Sequence, residues 1–295
     1  RRRACRNSRR RFGGLSAASI LAAEGHRVSI LEKNDQLGGR ASCWEHEGFT
    51  FDLGPSWYLM PEVFDRFFNI VGKKREDFYR LHKLEPFYRV FFQSGKKVDI
   101  VENFDRNAEL FEEFEQGGAE KLAKYILESK YKYEIAMRDF MYKEYRSIFD
   151  FLNFRIMTEG LKLHVFRRLD NYVRRFFHDS QAKKILEYAM VFLGNSPYNA
   201  PALYSIMSHV DLNLGVWFPD GGMTSVVKGF SRCAESLGVE VNCNSEVISL
   251  EGTNGRIRGA RTRDGLYTAD AFIVNADYAF SELNLLQNKN NISYN

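Results

Sequence analysis

The feature that most constrains the fold is a glycine pair, Gly13-Gly14, followed by an apolar helical pattern and a short apolar strand pattern. Apolar side chains recur at helical spacing after the pair: Leu15, Ala18, Leu21 and Ala22. Gly25 is of the type that commonly ends a helix, and residues 28–31 are typical of a buried strand that stops at Glu32. This order predicts part of a dinucleotide-binding unit, with the Glu32 carboxylate placed to bind a ribose hydroxyl.

The residues before the glycine pair do not fit this unit. In the G-x-G-x-x-G fingerprint two earlier glycines make the tight turn and let the backbone approach a pyrophosphate. Here those positions are Arg9 and Arg11, and seven of the first eleven residues are arginine. The segment Ala4-Cys5-Arg6-Asn7-Ser8 is not typical of a central strand. We therefore expect the first strand and the first two glycines of the fingerprint to be missing, and we regard residues 1–11 as a doubtful part of the cofactor domain.

Three explanations of the arginine-rich segment are open. A frameshift in the underlying gene is favoured, because arginine codons read one base later can encode the missing glycines after an apolar strand. A twin-arginine export signal fits residues 8–12, although the apolar run behind it is short. A basic arm that binds nucleic acid is the third explanation, but nothing downstream supports it, and we expect no nucleic-acid partner.

Composition limits the class of protein. Hydrophobic residues make up 44% of the 295 residues, which is ordinary for a globular protein. The formal charge of +4 depends on the arginine-rich segment, since without its seven arginines 35 basic residues face 38 acidic ones. The four cysteines and six histidines lack metal-ligand spacing, so we predict no metal and a reduced cytosolic setting. No run of 18 apolar residues predicts a transmembrane helix.

The order of patterns along the chain predicts an α/β (α+β) fold in which one domain interrupts another. Residues 87–100 are typical of a β-hairpin, residues 105–192 are mostly helical, and residues 239–274 alternate like short strands around a tight turn at Asn254-Gly255. The predicted divisions are a cofactor domain at 1–80 and 216–285, a second domain at 81–215, and a disordered tail at 286–295.

Six blocks together carry a resemblance to a known family: Gly38-Gly39-Arg40-Ala41, Phe51-Asp52-Leu53-Gly54-Pro55-Ser56, Phe192-Leu193-Gly194-Asn195-Ser196-Pro197, Pro201-Ala202-Leu203-Tyr204-Ser205-Ile206-Met207, Gly215-Val216-Trp217-Phe218-Pro219-Asp220-Gly221-Gly222-Met223 and Val274-Asn275-Ala276-Asp277-Tyr278. Over residues 12–285 the chain resembles the bacterial and fungal phytoene desaturases, within the amine-oxidase-like flavoprotein fold. The family continues beyond the position of Tyr278, so a fragment is expected.

The resemblance implies a Rossmann-like FAD-binding domain interrupted by a substrate domain with an antiparallel sheet and a helical insert. It implies FAD as the cofactor and desaturation of phytoene or a related C40 or C30 carotenoid precursor, by hydride transfer to the flavin. Related chemistry, such as carotenoid oxidation, isomerisation or amine oxidation, stays open, as does a non-catalytic remnant. No base is identifiable, so no catalytic residue is assigned. Because arginines occupy two glycine positions, we expect the chain as written not to retain FAD.

The resemblance also implies the residues that bind the cofactor: Gly13, Gly14, Glu32, Lys33, Gly38, Gly39, Arg40, Gly54, Pro55, Ser56, Val247 and Asn275. Gly13 and Gly14 would form the pyrophosphate turn and Glu32 would bind the adenosine ribose. Structural alternatives are an ordinary turn or loop for the glycine blocks, a solvated acid for Glu32, a core valine for Val247 and a strand-end cap for Asn275.

One segment suggests membrane contact. Its apolar residues fall on one helical face: Val165, Phe166, Leu169, Tyr172, Val173 and Phe176. Its basic residues fall on the other: Arg167, Arg168, Arg174 and Arg175. Such a helix can lie on an anionic membrane and would suit an enzyme that takes a long-chain isoprenoid from the bilayer, but it can equally be a cap packed on its own domain. We expect a cytoplasmic protein at the inner face of the membrane.

Overall fold

The computed structural model describes residues 2–7, 12–144, 147, 167–253 and 256–286, and for residues 2–7 the backbone alone. The chain forms two compact units, residues 1–82 with 218–295 (unit 1) and residues 83–217 (unit 2). The assignment of a cofactor role to one and a substrate role to the other stays a prediction.

Helices and strands alternate at the start of the chain, as the sequence pattern predicts. The described strands, β1 to β13 in chain order, are Arg2–Asn7, Arg27–Glu32, Ser42–His46, Phe49–Leu53, Leu81–Lys83, Tyr88–Phe91, Lys97–Ile100, Trp217–Pro219, Glu240–Asn242, Val247–Thr253, Arg256–Thr262, Leu266–Thr268 and Phe272–Val274. The described α-helices, α1 to α9, are Phe12–Ala23, Pro61–Ile70, Phe104–Phe114, Gly118–Ile135, Leu169–Val173, Ser180–Glu187, Ile206–His209, Met223–Ser236 and Tyr278–Phe280. Single 3-10 or π turns lie at Arg75–Asp77, Ala136–Phe140, Tyr188–Leu193, Ala202–Ser205, Val210–Leu214 and Ser281–Leu285.

Unit 1 is built on a four-stranded sheet in the order β13-β1-β2-β9. All three pairings are parallel, with Asn7 opposite Glu32, Arg6 opposite Val274 and Leu31 opposite Asn242. The carboxyl ends of the four strands therefore meet at one edge. In chain order this arrangement matches the 3-2-1-4 half of a doubly wound nucleotide-binding sheet.

The expectation that the first strand is missing is wrong. The backbone of Arg2–Asn7 forms β1, the central strand between β2 and β13. Parallel pairing uses backbone N–H and C=O groups, so a sequence that lacks the usual apolar strand pattern can still complete the ladder. The next element, α1, is held in place by packing at its first residue.

An aromatic cluster holds the first turn of α1. The ring of Phe12 contacts Phe64 of α2 and Phe230 of α8 edge-on, with centroid distances of 5.9 and 5.2 Å. Phe67 of α2 stacks on Phe230 at 4.6 Å. Leu15 and Ala18, two of the predicted apolar positions of α1, are fully buried. These contacts fix the N-terminus of α1 beside the carboxyl edge of the sheet.

Two smaller antiparallel arrangements complete unit 1. In the β3–β4 hairpin Trp44 pairs with Phe51 and His46 with Phe49, while β10, β11 and β12 form a meander. The residues of the predicted turn between β10 and β11, Asn254-Gly255, lie outside the described residues. The prediction that the tail is disordered from residue 286 is wrong for Leu286, which forms a parallel bridge with the buried Leu250. Residues 287–295 lie outside the described range.

Unit 2 contains the predicted hairpin, which β6 and β7 confirm with Tyr88 opposite Ile100. The rest of its described residues are mainly helical. The described residues of the predicted amphipathic face, Leu169, Tyr172, Val173 and Phe176, are buried. The Phe176 ring packs edge-on against Tyr125 of α4 at 5.3 Å. This face is therefore a cap packed on its own unit rather than a membrane-facing surface; Val165 and Phe166 lie outside the described residues.

Candidate functional site

The carboxyl edge of the unit 1 sheet brings several predicted residues together. Helix α1 begins at Phe12, so its unpaired N–H groups lie at this edge, where a dinucleotide pyrophosphate binds in folds of this kind. A Cβ added to Gly13 would lie 3.5 Å from Nδ2 of Asn275, which directly follows β13. Gly13 and Asn275 thus face each other, while Gly14 is buried against the sheet side of the helix.

Glu32 lies at the end of β2 and is fully buried, so the solvated-acid alternative is excluded. Its Oε1 accepts a hydrogen bond from the Asn34 N–H at 3.1 Å, and its backbone carbonyl accepts one from the Ser245 N–H at 2.5 Å. A second backbone bond joins Asn244 to Asn34 at 2.9 Å. These bonds hold the segment before Val247 against the end of β2. Val247, the first residue of β10, therefore lies two positions after Ser245, which is bonded to Glu32. Lys33 is half-buried.

The Gly-Gly-Arg block forms a tight turn that leaves no room for a side chain at Gly38. Gly38 has φ +109°, and an added Cβ would lie 2.6 Å from the Ala41 carbonyl oxygen. Gly54 has φ +147°, and a Cβ there would overlap the carbonyl oxygen of Arg40. The two predicted glycine blocks are therefore in backbone contact, which neither block indicates alone. Arg40 is exposed and available to an anion.

Gly39, Pro55 and Ser56 occupy the same neighbourhood by chain connectivity. Gly39 has φ +60°, in the left-handed region that glycine favours. Pro55 and Ser56 directly follow Gly54 and are exposed. These residues form turn and loop.

Asp52 has a role that the sequence argument missed. Its Oδ2 accepts a hydrogen bond from the Met223 N–H at 3.0 Å, at the N-terminus of α8. Gly222 leaves space for it, since an added Cβ would lie 3.0 Å from the same oxygen. Two of the six blocks are thus joined by one carboxylate at a helix N-terminus. The only sequence signal was the presence of an acid in one block and a Gly-Met pair in the other.

Unit 2 contains buried ionisable groups that formed no recognisable motif. Asp211 accepts hydrogen bonds from the hydroxyls of Tyr188 at 2.6 Å and Tyr88 at 3.4 Å. Burial raises the pKa of Asp211 to about 7, although the bond from Tyr188 opposes this. Burial, aided by the Asp170 carboxylate, raises the pKa of Glu187 to about 7. Only the folded chain reveals these groups, because each stands alone in sequence.

Metal ligands do not cluster in the described parts of either unit. Among the described residues, no group of three His, Cys, Asp or Glu side chains is placed to hold a metal ion.

Comparison with known proteins identifies the family of the chain. Residues 12–287 match the model of a family described as flavin containing amine oxidoreductase. The chain belongs to this family. The predicted cofactor, FAD, is thereby confirmed at the level of the family, and the expected resemblance is confirmed with it.

Several curated relatives are similar over nearly the whole chain. The carotenoid 3,4-desaturase of Haloarcula japonica is 43% identical over 93% of this chain and 56% of its own. The zeta-carotene-forming phytoene desaturase of Myxococcus xanthus is 32% identical over 92% of this chain and 53% of its own. The 4,4'-diapolycopene oxygenase of a Methylomonas species is 33% identical over 90% of this chain and 54% of its own. The chain thus spans about half the length of these relatives.

Solved structures share the fold. An oxidoreductase from Methanosarcina mazei superposes with a TM-score of 0.64 at 16% identity, covering 96% of this chain and 61% of the other. Putrescine oxidase bound to putrescine superposes with a TM-score of 0.60 at 14% identity, covering 97% and 60%. At such identities the likeness shows a common mixed helix and sheet fold alone.

The described residues fit a flavin dinucleotide. The pyrophosphate requires a helix N-terminus with a glycine beside it, which α1 and Gly13 supply opposite Asn275. The ribose requires a carboxylate at the end of the adjacent strand, which the buried Glu32 supplies. Arg9 and Arg11 lie outside the described residues, so their effect on this site stays a prediction.

Proposed function

We propose that this chain belongs to an FAD-dependent desaturase that acts on phytoene or a related linear carotenoid precursor. The observation that carries the proposal is the identity of 30% or more to several carotenoid desaturases, each over at least 90% of this chain. The Rossmann-like assignment of residues 1–80 and 216–285, and the substrate role of residues 81–215, belong to this proposal.

The chain's own residues would bind and orient the cofactor. The N-terminus of α1, with Gly13 and Gly14, would hold the pyrophosphate. Glu32 would accept hydrogen bonds from the adenosine ribose, and the backbone at Val247 would lie beside the adenine. Arg40 would meet phosphate charge, and Asn275 would hold the end of β13 against the first turn of α1.

When bound, the flavin supplies a hydride acceptor for oxidation of a carbon–carbon single bond. We assign no base. Gly54, Pro55 and Ser56 would bring exposed backbone close to the reactive ring.

A second candidate is oxidation of a carotenoid without desaturation. The similarity to the 4,4'-diapolycopene oxygenase favours it, because that relative is 33% identical over 90% of this chain. The two candidates differ in product: desaturation extends the conjugated system, whereas the second introduces oxygen.

Expression in cells that accumulate phytoene tests the proposal. The variant Arg9→Gly/Arg11→Gly should lower the phytoene content and produce more conjugated carotenoids, separable by liquid chromatography and absorbance. The same variant carrying Glu32→Gln should convert less. Unchanged phytoene with a soluble, FAD-loaded protein would exclude desaturation of phytoene, and oxygenated products from a supplied coloured carotene would support the second candidate.

We further propose that the protein works in the cytoplasm at the inner face of the membrane. No helix among the described residues has the length and hydropathy to cross a bilayer. The support is one face of the β3–β4 hairpin, which presents exposed aromatic and aliphatic side chains: Trp44, Phe49, Phe51 and Leu53. Aromatic side chains favour the membrane–water interface, which borders the hydrocarbon core where a C40 hydrocarbon dissolves.

Vesicle sedimentation tests the membrane proposal. Phe49→Ser/Phe51→Ser should reduce binding to phospholipid vesicles, while Glu45→Ser/Thr50→Ser, which changes the opposite face of the same hairpin, should not. Equal binding of the two variants would rule out this face as the contact.

A further inference from the structure

A buried lysine in unit 2 has no part in the proposed flavin chemistry. Lys132 lies on α4 and is only 2% exposed, although lysine is almost never fully buried without an ionic partner. Among the described residues no carboxylate lies within 4 Å of its amine, whereas the neighbouring Lys130 is exposed and pairs with Glu134 at 3.9 Å. Two lysines two residues apart on one helix therefore have opposite environments.

The amine of Lys132 is held in one position by neutral groups. Nζ donates a hydrogen bond to the Ser205 hydroxyl at 2.9 Å, and that hydroxyl donates in turn to the Ala202 carbonyl at 2.8 Å. Nζ also lies 3.6 Å from the centroid of the Tyr172 ring. The Tyr172 hydroxyl donates to Oε2 of Glu128 at 2.6 Å. The carboxylate one turn before Lys132 is thus engaged by the phenol.

Lys132 is among the residues that line a cavity. A space of about 780 Å³ is lined by the outer face of α4 and by Arg175: Leu127, Glu128, Lys130, Tyr131, Lys132, Glu134 and Arg175. Leu127 and Tyr131 are exposed at its rim, and Leu127 is 67% exposed. The lining of the cavity therefore combines exposed apolar side chains with Lys132 and Glu128.

Burial lowers the pKa of Lys132 to about 7, and the positive charge of Arg175 acts in the same direction. The Glu128 carboxylate opposes this effect, and the face of the Tyr172 ring also attracts the ammonium form. A substantial fraction of the amine is therefore neutral near pH 7, whereas an ordinary lysine, with a pKa of about 10.4, is almost fully protonated.

We propose that Lys132 is a carbonyl-reactive lysine whose cavity accepts an aldehyde with an apolar chain and holds it as an imine. The neutral amine attacks the carbonyl carbon and a C–N bond forms; the nitrogen gives up its two protons to the carbonyl oxygen, the C–O bond breaks as the C=N bond forms, and the oxygen leaves as water. No electrons are exchanged with an external reagent, so the step needs no oxidant or reductant. Glu128 lies on the same cavity wall and supplies an acid–base group for the loss of water.

This inference is independent of the proposed flavin function, because all its residues lie in unit 2 and the step needs no cofactor. It also differs from a purely structural role for Lys132. A structural lysine would be protected from reagents, whereas a reactive one is modified before its exposed neighbours.

Reductive labelling of the full chain tests the inference. The protein is incubated at pH 7 with octanal and cyanoborohydride, which converts an imine into a stable alkylamine, and the modified peptides are quantified by mass spectrometry. We expect at least about tenfold more label on Lys132 than on Lys130, because at pH 7 a pKa near 7 leaves roughly a thousandfold more neutral amine than an ordinary lysine has. In urea the preference should disappear.

Lys132→Met should lose this adduct and keep the labelling of Lys130. Ser205→Ala, which leaves the amine without its acceptor, should retain an adduct at Lys132. Label on Lys130 and other exposed lysines with none on Lys132 in the folded protein would overturn the proposal, as would a preference for Lys132 that persists in urea. The wild-type protein alone gives the answer if either variant does not fold.

Discussion

The substitution Gly38→Ala tests whether the second glycine block is required by backbone packing. At φ +109° the added methyl group would lie 2.6 Å from the Ala41 carbonyl oxygen and 3.1 Å from Cγ2 of Val227 on α8. The positive φ alone costs an L-residue about 1–2 kcal/mol. A backbone oxygen cannot rotate away as a side chain can, so the overlap adds about 1–3 kcal/mol as the turn shifts.

Gly48 is the matched control within the neighbouring hairpin. It also has a positive φ, +83°, but an added Cβ would meet nothing within 4 Å. Gly48→Ala should therefore cost only about 1–2 kcal/mol, while Gly38→Ala costs about 2–5 kcal/mol. For a unit of this size each kcal/mol lowers Tm by roughly 2–4 °C.

Thermal unfolding followed by circular dichroism measures the difference. We expect Gly38→Ala to unfold several degrees below Gly48→Ala, and to bind FAD more weakly in the Arg9→Gly/Arg11→Gly background because the displaced turn carries Arg40. Equal Tm values for the two variants would refute the reasoning, since they would show that the close contact adds nothing to the cost of the positive φ.

Three further predictions concern the arginine-rich segment, the buried acid of unit 2 and the Asp52 contact. The chain as written should lose FAD on gel filtration, whereas Arg9→Gly/Arg11→Gly should remain yellow, because arginines stand where glycines let the backbone approach the pyrophosphate; flavin absorbance in the unaltered chain would show this to be wrong. Burial raises the folded-state pKa of Asp211 to about 7, so between pH 4 and 7 the folded protein keeps a proton that the unfolded chain has released. The Asp211 carboxyl therefore destabilises the fold increasingly as the pH rises from 4 to 7. Asp211→Asn should therefore lose less stability than the wild type between pH 5 and 8 in urea unfolding, by about 2–3 kcal/mol, and parallel pH profiles would contradict this. Asp52→Ala leaves the Met223 N–H without its partner and should cost about 1–2 kcal/mol in the same assay, where Asp35→Ala, which changes an exposed acid, should have no effect.

The local elements near the glycine pair were predictable because each is a short apolar stretch with a clear boundary residue. The apolar stretch that ends before Gly25 indicates a helix, and the run that ends at Glu32 indicates a buried strand, without tertiary information. The β6–β7 hairpin was predictable for the same reason. The family blocks then predicted the residues of the candidate site, and at Gly38 and Gly54 an added side chain would collide with backbone.

The central strand β1 could not be predicted from its own residues. Pattern rules judge a strand by its side chains, but β1 is defined by backbone pairing on both sides, with β2 and β13. β13 pairs with β1 across more than 260 residues of chain, a separation that no local pattern reports. The expectation of a missing strand failed for this reason.

The roles of the remaining residues depend on their burial and contacts in the folded chain rather than on their sequence pattern. Lys130 and Lys132 have the same side chain on the same helix, yet only Lys132 is buried against Tyr172 and Ser205. The basic amphipathic segment left two interpretations open, and the burial of Leu169 and Phe176 within unit 2 decided between them. Such differences depend on which elements pack together, which the sequence pattern does not specify.

The central claim is that the carboxyl edge of the β13-β1-β2-β9 sheet is an FAD site. Its most direct test is titration of FAD into the Arg9→Gly/Arg11→Gly chain with and without Glu32→Gln, which keeps the shape of the side chain and removes its charge. Loss of a charged acceptor for the ribose should weaken binding by about 1–2 kcal/mol, roughly fivefold to thirtyfold. Glu24→Gln, at an exposed position after α1, should leave the affinity unchanged. Equal FAD affinity of the proteins with and without Glu32→Gln, or no FAD binding by either, would contradict the claim.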